Sequence, residues 1–376
     1  MNIFESIRVQ GFRRLLDVEL KLRPLNVLIG ANGSGKTSLL DVFTLLSASA
    51  AGELKKTIND IGGIDSNLSV LTGPRGEKSE FMKFELDRQV TNDALSRYAF
   101  SLQPRGNGYA ISEESFWHHD EDGRIPDYPI VINGISTGQA GPRYAGESDL
   151  SRSTGGDIEL ESFRKALAFS THYHVLDVSQ RSPVRLPQQV REAQLPGGNG
   201  EDLVSCLYWI KEADPDRFET IQDTLRVAFP SFDRLNFPPV AAGLLAITWK
   251  ERDIKHPFFM HQLSEGTLRF LWLVTLLYSP GLTDVTLLDE PEVSLHPELL
   301  SVLAVCLREA STRTQLIVAT HADRLVRFLQ PSEVVTLDME DGVTTATRAE
   351  DLDLEEWLKE YTLDEVWQHG RMGGRP

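Results

Sequence analysis

At 376 residues the chain is long for one compact domain, so two lobes are expected. Hydrophobic residues make up 41% and charged residues 25%, as in an ordinary globular protein with a large core, and the net charge of −17 argues against a surface that grips nucleic acid throughout, though not against a local basic groove. Cys206 and Cys306 are the only cysteines, which argues against a disulfide framework or a cysteine zinc site and fits a reducing cytoplasm.

The opening "MNIFESIRVQGF" has no long apolar core behind a basic stretch, so no signal peptide is expected. Residues 3–10 and 15–22 alternate apolar and polar side chains around "GFRR", as two half-buried strands do. "LNVLIG" is a continuous apolar run ending in glycine, suited to a strand buried on both faces. The next eight residues, from Gly30 to Thr37, fit G-x-x-x-x-G-K-[ST], and a helix is expected from Lys36-Thr37 through "SLLDVFTLL". Strand, glycine loop and helix together predict a phosphate-binding loop. Backbone N–H groups across Gly30, Asn32, Gly33, Ser34, Gly35 and Ser38 would surround anionic oxygens, Lys36 would reach the β- and γ-phosphates, and the Thr37 hydroxyl would ligate Mg²⁺. Alone, this pattern says only that a nucleotide phosphate is bound.

Between Glu80 and Trp117 lie further strand-like pieces, "EFMKFEL", "RYAFSLQ" and "GYAISEE". Ile132 to Asp157 is rich in glycine and serine and reads as a loop or lobe boundary. Helical patterns follow at 159–169 and 202–227. Between them His172 and His174 alternate along a strand-like run and would share one face, as metal ligands do. Asp177 is the one carboxylate near them at ligand spacing, so a structural role is the preferred reading. Gln180, in "HVLDVSQRSPVR", is a candidate contact to Mg²⁺ and to an attacking water between the two lobes.

From about Leu244 a strand, "LLAITWK", leads into "HQLSEGTLRFLWLVTLLY". The apolar run from Leu268 to Ser279 is short of the roughly 18–20 residues that span a bilayer, so a soluble protein with no membrane partner is expected. Ser264 has two readings: the cap of the following helix, or, with the free N–H groups near Gly266, a second phosphate clamp. "VTLLDEPE" delivers Asp289 and Glu290 to the end of a buried strand, the edge where ligands bind in a doubly wound sheet. There Asp289 would hold Mg²⁺ and Glu290 would orient and help deprotonate water. His321 ends another apolar strand, where it would hydrogen-bond a γ-phosphate. From Asp338 to Glu365 eleven acidic residues face only Arg348 and Lys359, which predicts a solvated acidic face, with a docking surface for a basic partner as the minority reading.

The order of these motifs, with Asp289 following Ser264 by 25 residues, resembles the ABC class of ATPases, whose signature runs Leu-Ser-Gly-Gly-Gln. Here Glu265 replaces the first glycine and Thr267 the glutamine. The opening "IRVQGFRRLLDVELKLRPLNVLIGANGSGKTSLLDVF" is similar to the RecF/SMC-like branch, and "LSEGTLR", "DEPEVSLHP" and the tail "YTLDEVWQHGRMGGRP" resemble predicted ATPases of the overcoming-lysogenization-defect (OLD) type. The resemblance implies an α/β fold: a phosphate-loop NTPase of the ABC class with a mixed central sheet and flanking helices, an antiparallel β subdomain and a helical lobe. On this reading 1–130 and 244–376 form the ATPase core lobe and 131–243 an inserted, largely helical one.

The roughly 225 residues between phosphate loop and signature carry no long heptad pattern, so no coiled-coil arm is expected. Too few residues follow His321 for the nuclease domain of OLD-type enzymes, so any nuclease would be a separate chain. By resemblance, ATP and Mg²⁺ would be sandwiched between the phosphate loop of one subunit and Ser264 and Gly266 of another in a head-to-tail homodimer, with His296 a candidate contact across it. Arg13, at the strand turn, is either a nucleotide contact or a surface arginine. Two functions remain open: ATP-gated dimerisation in DNA repair or anti-phage defence, or an ATP-dependent scaffold that holds or releases a partner toxin or nuclease. DNA contact would draw on Arg13, Arg14, Arg181, Arg185 and Arg191. A transporter subunit ranks third, because the Gly-Phe-Arg opening and "DEPEVSLHP" speak against it.

Overall fold

The structure, a computed structural model, describes residues 3–70, 78–90, 95–118, 147–152, 158–241 and 243–373. The glycine- and serine-rich stretch from Ile132 to Asp157 lies outside the described residues except for 147–152.

One helix, Lys36–Ala51, packs between two sheets. The first is antiparallel, with strands in the order Leu15–Lys21, Ser6–Phe12, Met82–Gln89, Leu95–Arg105 and Gly108–His118. It holds the alternating strands expected near the start and the strand-like pieces after Glu80. The second has six strands in the order Val343–Arg348, Val334–Glu340, Leu25–Ile29, Gln315–Ala319, Val285–Asp289 and Ser170–Tyr173, and all pairs are parallel except the first.

Because successive strand residues point to opposite faces, this sheet feeds two cores. Leu25, Val27 and Ile29 join one cluster with Leu316, Val318 and Leu288. Leu28 joins the other with Ile317, Ala319, Val285, Leu287 and the central helix. That is why "LNVLI" and "QLIVA" are apolar without alternation. On the far face lie the helices Glu265–Tyr278, Leu299–Ala310, Leu203–Ala213 and Pro215–Ala228.

The helix expected over 202–227 is two helices. Pro215 lacks an N–H and opens the second, and Asp214 caps it by accepting from Arg217 N at 3.1 Å. Within 131–243, the Ile158–Ala168 helix packs on the central helix and Ser170–Tyr173 forms an edge of the six-stranded sheet. The acidic region beyond Glu333 begins with an antiparallel hairpin turning at Asp341-Gly342, both in the left-handed region, which suits a right-twisted two-residue turn.

Among the described residues the longest helix is Lys36–Ala51, with 16 residues, and no helix is long and apolar enough to cross a membrane. Cys206 and Cys306 are buried and free, and burial pushes both thiols up to about 12.

Candidate functional site

The parallel register sets the site. Ala319 lies opposite Leu28 on one side and Asp289 on the other, so three strands end level and release the phosphate loop, the Asp289-Glu290 turn and His321 at one edge. In parallel α/β sheets this edge is where ligands bind.

The phosphate loop is held by its glycines and by the C-terminal hairpin. Gly30 has φ of 144°, and a Cβ there would stand 2.2 Å from the Leu337 carbonyl oxygen. Thr344 Oγ1 donates to the Ser34 carbonyl at 2.8 Å. Gly35 caps the central helix in a left-handed conformation. The Lys36 ammonium is buried and donates to the carbonyls of Gly30 at 2.6 Å and Ala31 at 3.0 Å. Burial pulls its pKa down to about 8, against the opposing pull of Glu290, Asp289 and Glu292. Asn32, Gly33 and Thr37 are exposed and Ser38 is half-buried. The loop fits a phosphate chain: Ser34 Oγ is buried without a partner, and a Cβ on Gly33 would meet nothing within 4 Å. Thr37 and Asp289 carry oxygen donors of the kind Mg²⁺ takes.

Asp289 is half-buried, and its pKa is raised by burial and by the neighbouring Glu290. Glu290 is left-handed with φ of 49°, its N–H donating to the Ala319 carbonyl at 2.8 Å. That turn sets its Oε1 3.5 Å from His321 Nε2. Burial and the Lys36 charge lower the His321 pKa. Behind them sits Glu292, which the sequence reading did not single out. Its Oε1 accepts from the N–H groups of His321 at 3.0 Å and Ala322 at 3.2 Å, so it fixes the turn carrying the histidine.

Ser264 caps the Glu265–Tyr278 helix, accepting from Thr267 N at 3.1 Å. Gly266 is required by contact: a Cβ would lie 2.5 Å from the Ser294 carbonyl oxygen. Among the described residues no hydrogen bond joins Ser264 or Gly266 to the phosphate loop. Arg269, also unsingled by sequence, donates to Ser294 Oγ at 2.5 Å and the Leu176 carbonyl at 3.3 Å, tying the signature helix to two neighbouring segments. The one available sign was its place in "LSEGTLRF". His296 is exposed beyond that turn.

Gln180 is exposed and does not line the pocket beside Asp289; His174, Tyr173, Arg269 and Trp272 do. Of the five arginines proposed for DNA, Arg13, Arg185 and Arg191 are held by partners within the chain. Arg13 bonds Asp41 at 2.5 Å and Asn67 at 2.7 Å. Arg185 donates to the carbonyls of Val178 at 2.7 Å and Leu263 at 3.1 Å, and Arg191 pairs with Asp202. Arg14 and Arg181 are exposed.

Residues 25–327 match the family described as "AAA domain, putative AbiEii toxin, Type IV TA system". The chain belongs to this family. As a member of this AAA domain family it is also similar to the OLD nuclease of Thermus scotoductus, with 22% identity over 407 aligned positions that take in 99% of the chain and 68% of that protein. Its fold is that of an SMC head. An SMC head solved bound to the C-winged helix domain of ScpA superposes with a TM-score of 0.57 at 17% identity, over 92% of this chain and 97% of that one. A Pyrococcus furiosus SMC head, with an extended coiled coil and bound to the C-terminal domain of ScpA, gives 0.56 at 13%, over 96% and 98%. The AAA domain here is therefore the ABC-class, mixed α/β fold expected from the motif order.

Proposed function

We propose that this AAA domain hydrolyses ATP with Mg²⁺ and uses the cycle to close and open a head-to-tail homodimer. The observation that carries the proposal is the level ending of three parallel strands, which gathers Lys36, Asp289, Glu290 and His321 at one edge. In the proposed cycle the loop from Gly30 through Ser38 wraps the phosphates and Lys36 leaves its own loop carbonyls for phosphate oxygens. Thr37 and Asp289 would hold Mg²⁺, which would supply neutralising charge to the phosphates. Glu290 accepts the proton of the attacking water, and His321, 3.5 Å away, orients that carboxylate and the terminal phosphate. Gln180 is carried as a contact made only on closure. The cap geometry of Ser264 and the seating of Gly266 on Ser294, with no hydrogen bond to their own phosphate loop among the described residues, support a role for them in the partner's site. The division into a core lobe of 1–130 and 244–376 and an intervening 131–243 lobe remains part of this proposal.

The kinship to an OLD nuclease supports a role in DNA maintenance or anti-phage defence. A second reading, an ATP-dependent scaffold for a toxin or nuclease chain, is favoured by the family's toxin description and by the pairing of Arg13 and Arg191 with carboxylates of this chain. Phosphate release measured with and without duplex and single-stranded DNA separates them. DNA stimulation abolished in Lys36→Ala and Glu290→Gln is expected for the first, and turnover indifferent to DNA for the second. No turnover in the wild type under any condition would reject hydrolysis.

A further inference from the structure

His172, His174 and Asp289 come together although 115 residues of sequence separate the last two. The strand Ser170–Tyr173 runs parallel to Val285–Asp289 with His172 opposite Leu287, so the two alternate histidines share a face with Asp289, two residues beyond Leu287. One ligand atom from each of the three lies within 4.8 Å of the others, and the two imidazole rings stand 4.1 Å apart, tilted by 42°.

The hydrogen bonds favour one tautomer of His172. Thr44 Oγ1 donates to the Leu40 carbonyl at 3.2 Å, so its one proton is spent, and it accepts from His172 Nδ1–H, also at 3.2 Å. In that tautomer Nε2 is an unprotonated acceptor, and among the described residues it is buried with no hydrogen-bond partner. A buried, unsatisfied lone pair is costly, and a cation is a natural partner for it.

We propose that His172, His174 and Asp289 bind one transition-metal dication of the Co²⁺, Zn²⁺ or Mn²⁺ class, at a site that shares its carboxylate with the nucleotide centre. Two imidazoles and one carboxylate suit these ions, whereas Mg²⁺ prefers oxygen ligands throughout. Tetrahedral coordination needs ligand atoms about 3.4 Å apart, so the three side chains close inward on binding and leave a fourth position for water or a phosphate oxygen. Thr44 serves as the outer partner that holds the His172 ring and tautomer. His174 is exposed, which gives the ion a way in from solvent. An ion held here takes Asp289 from Mg²⁺, so it regulates turnover; only this last step rests on the ATPase reading.

The test uses the full chain without nucleotide, stripped by chelator and titrated with Co²⁺ in millimolar excess Mg²⁺, followed by visible absorption and calorimetry. One Co²⁺ per chain is expected, with the intense visible bands of a four-coordinate ion, and His174→Ala and His172→Gln should each weaken binding at least about tenfold. His256→Ala, an exposed histidine elsewhere, is the control and should bind as the wild type does. His174 is exposed, so its variant keeps the test sound if the His172 variant misfolds. Unchanged affinity in His174→Ala, displacement by the excess Mg²⁺, or no binding below millimolar Co²⁺ overturns the proposal. Because no nucleotide is present, each outcome is independent of whether the chain hydrolyses ATP.

Discussion

Replacing Glu292 by alanine should cost little stability and much turnover. Its Oε1 takes the N–H groups of His321 and Ala322, and a buried donor left unpaired costs about 1–3 kcal/mol. Neither donor pays that in full here. The His321 N–H is exposed, so water replaces its bond, and the Ala322 N–H keeps Thr320 Oγ1 at 3.0 Å. Removing a carboxylate whose pKa burial raises returns some desolvation energy as well. The expected loss is therefore about 1–2 kcal/mol, read from the urea midpoint at unchanged slope. The turn carrying His321 then loses its fixed height beside Glu290, and a misplacement on the order of 1 Å at a reacting group costs about 100-fold. Steady-state phosphate release should show kcat down about 10- to 100-fold with KM for ATP little changed. Glu292→Gln keeps an acceptor oxygen and should recover most of that loss. Wild-type kcat in Glu292→Ala would refute the idea that Glu292 positions the histidine.

The Lys36 pKa, lowered to about 8 from 10.5, predicts that nucleotide affinity weakens as pH rises above about 8, because the free protein then holds a neutral amine. Fluorescent-nucleotide titrations from pH 7 to pH 9.5 should show this, and Lys36→Met should lose the dependence along with most affinity. For stability the sign is opposite to that of a salt-bridged lysine. Between about 8 and 10.5 the unfolded chain binds the extra proton, so the burial penalty of Lys36 is present in full below pH 8 and is relieved as pH climbs through that window. A head-to-tail dimer predicts complementation: Lys36→Ala and Ser264→Arg should each be inactive, yet their mixture should regain partial turnover, since one composite site in the mixed dimer is intact. A mixture as dead as its parts would reject the shared site. Asp214→Ala removes a helix cap and should lower stability by about 1 kcal/mol, measured by urea unfolding, without altering ATP turnover.

The local chemistry was legible along the chain because it is written in contiguous residues. The run from Gly30 to Thr37 carries its glycines, its lysine and its helix start within one turn of loop, and "VTLLDEPE" carries a buried strand and its acidic end. Such patterns announce themselves through apolar runs and through glycines that tolerate left-handed backbone. Strand register adds what chain order does not show at Gln180. That glutamine follows a short strand as a Mg²⁺ contact would, but the register brings His174 to the side of Asp289 and leaves Gln180 exposed. The C-terminal hairpin was hidden in a stretch whose charge predicted a solvated face: its inner strand is buried over Val334–Leu337 and carries Asp338 and Glu340 only at its outer end, and its edge strand Val343–Arg348 is partly exposed.

The sequence by itself determined the glycine loop with its lysine, the acidic end of one buried strand, the histidine that follows another and their order, and with them the class of fold. Each of those depends on residues that are neighbours along the chain. Only the tertiary structure decided that Glu292 braces His321, that Arg269 ties the signature helix to Ser294, and that two histidines meet Asp289. Those contacts depend on strand register and sheet order, which arise from packing both faces of one sheet against two cores.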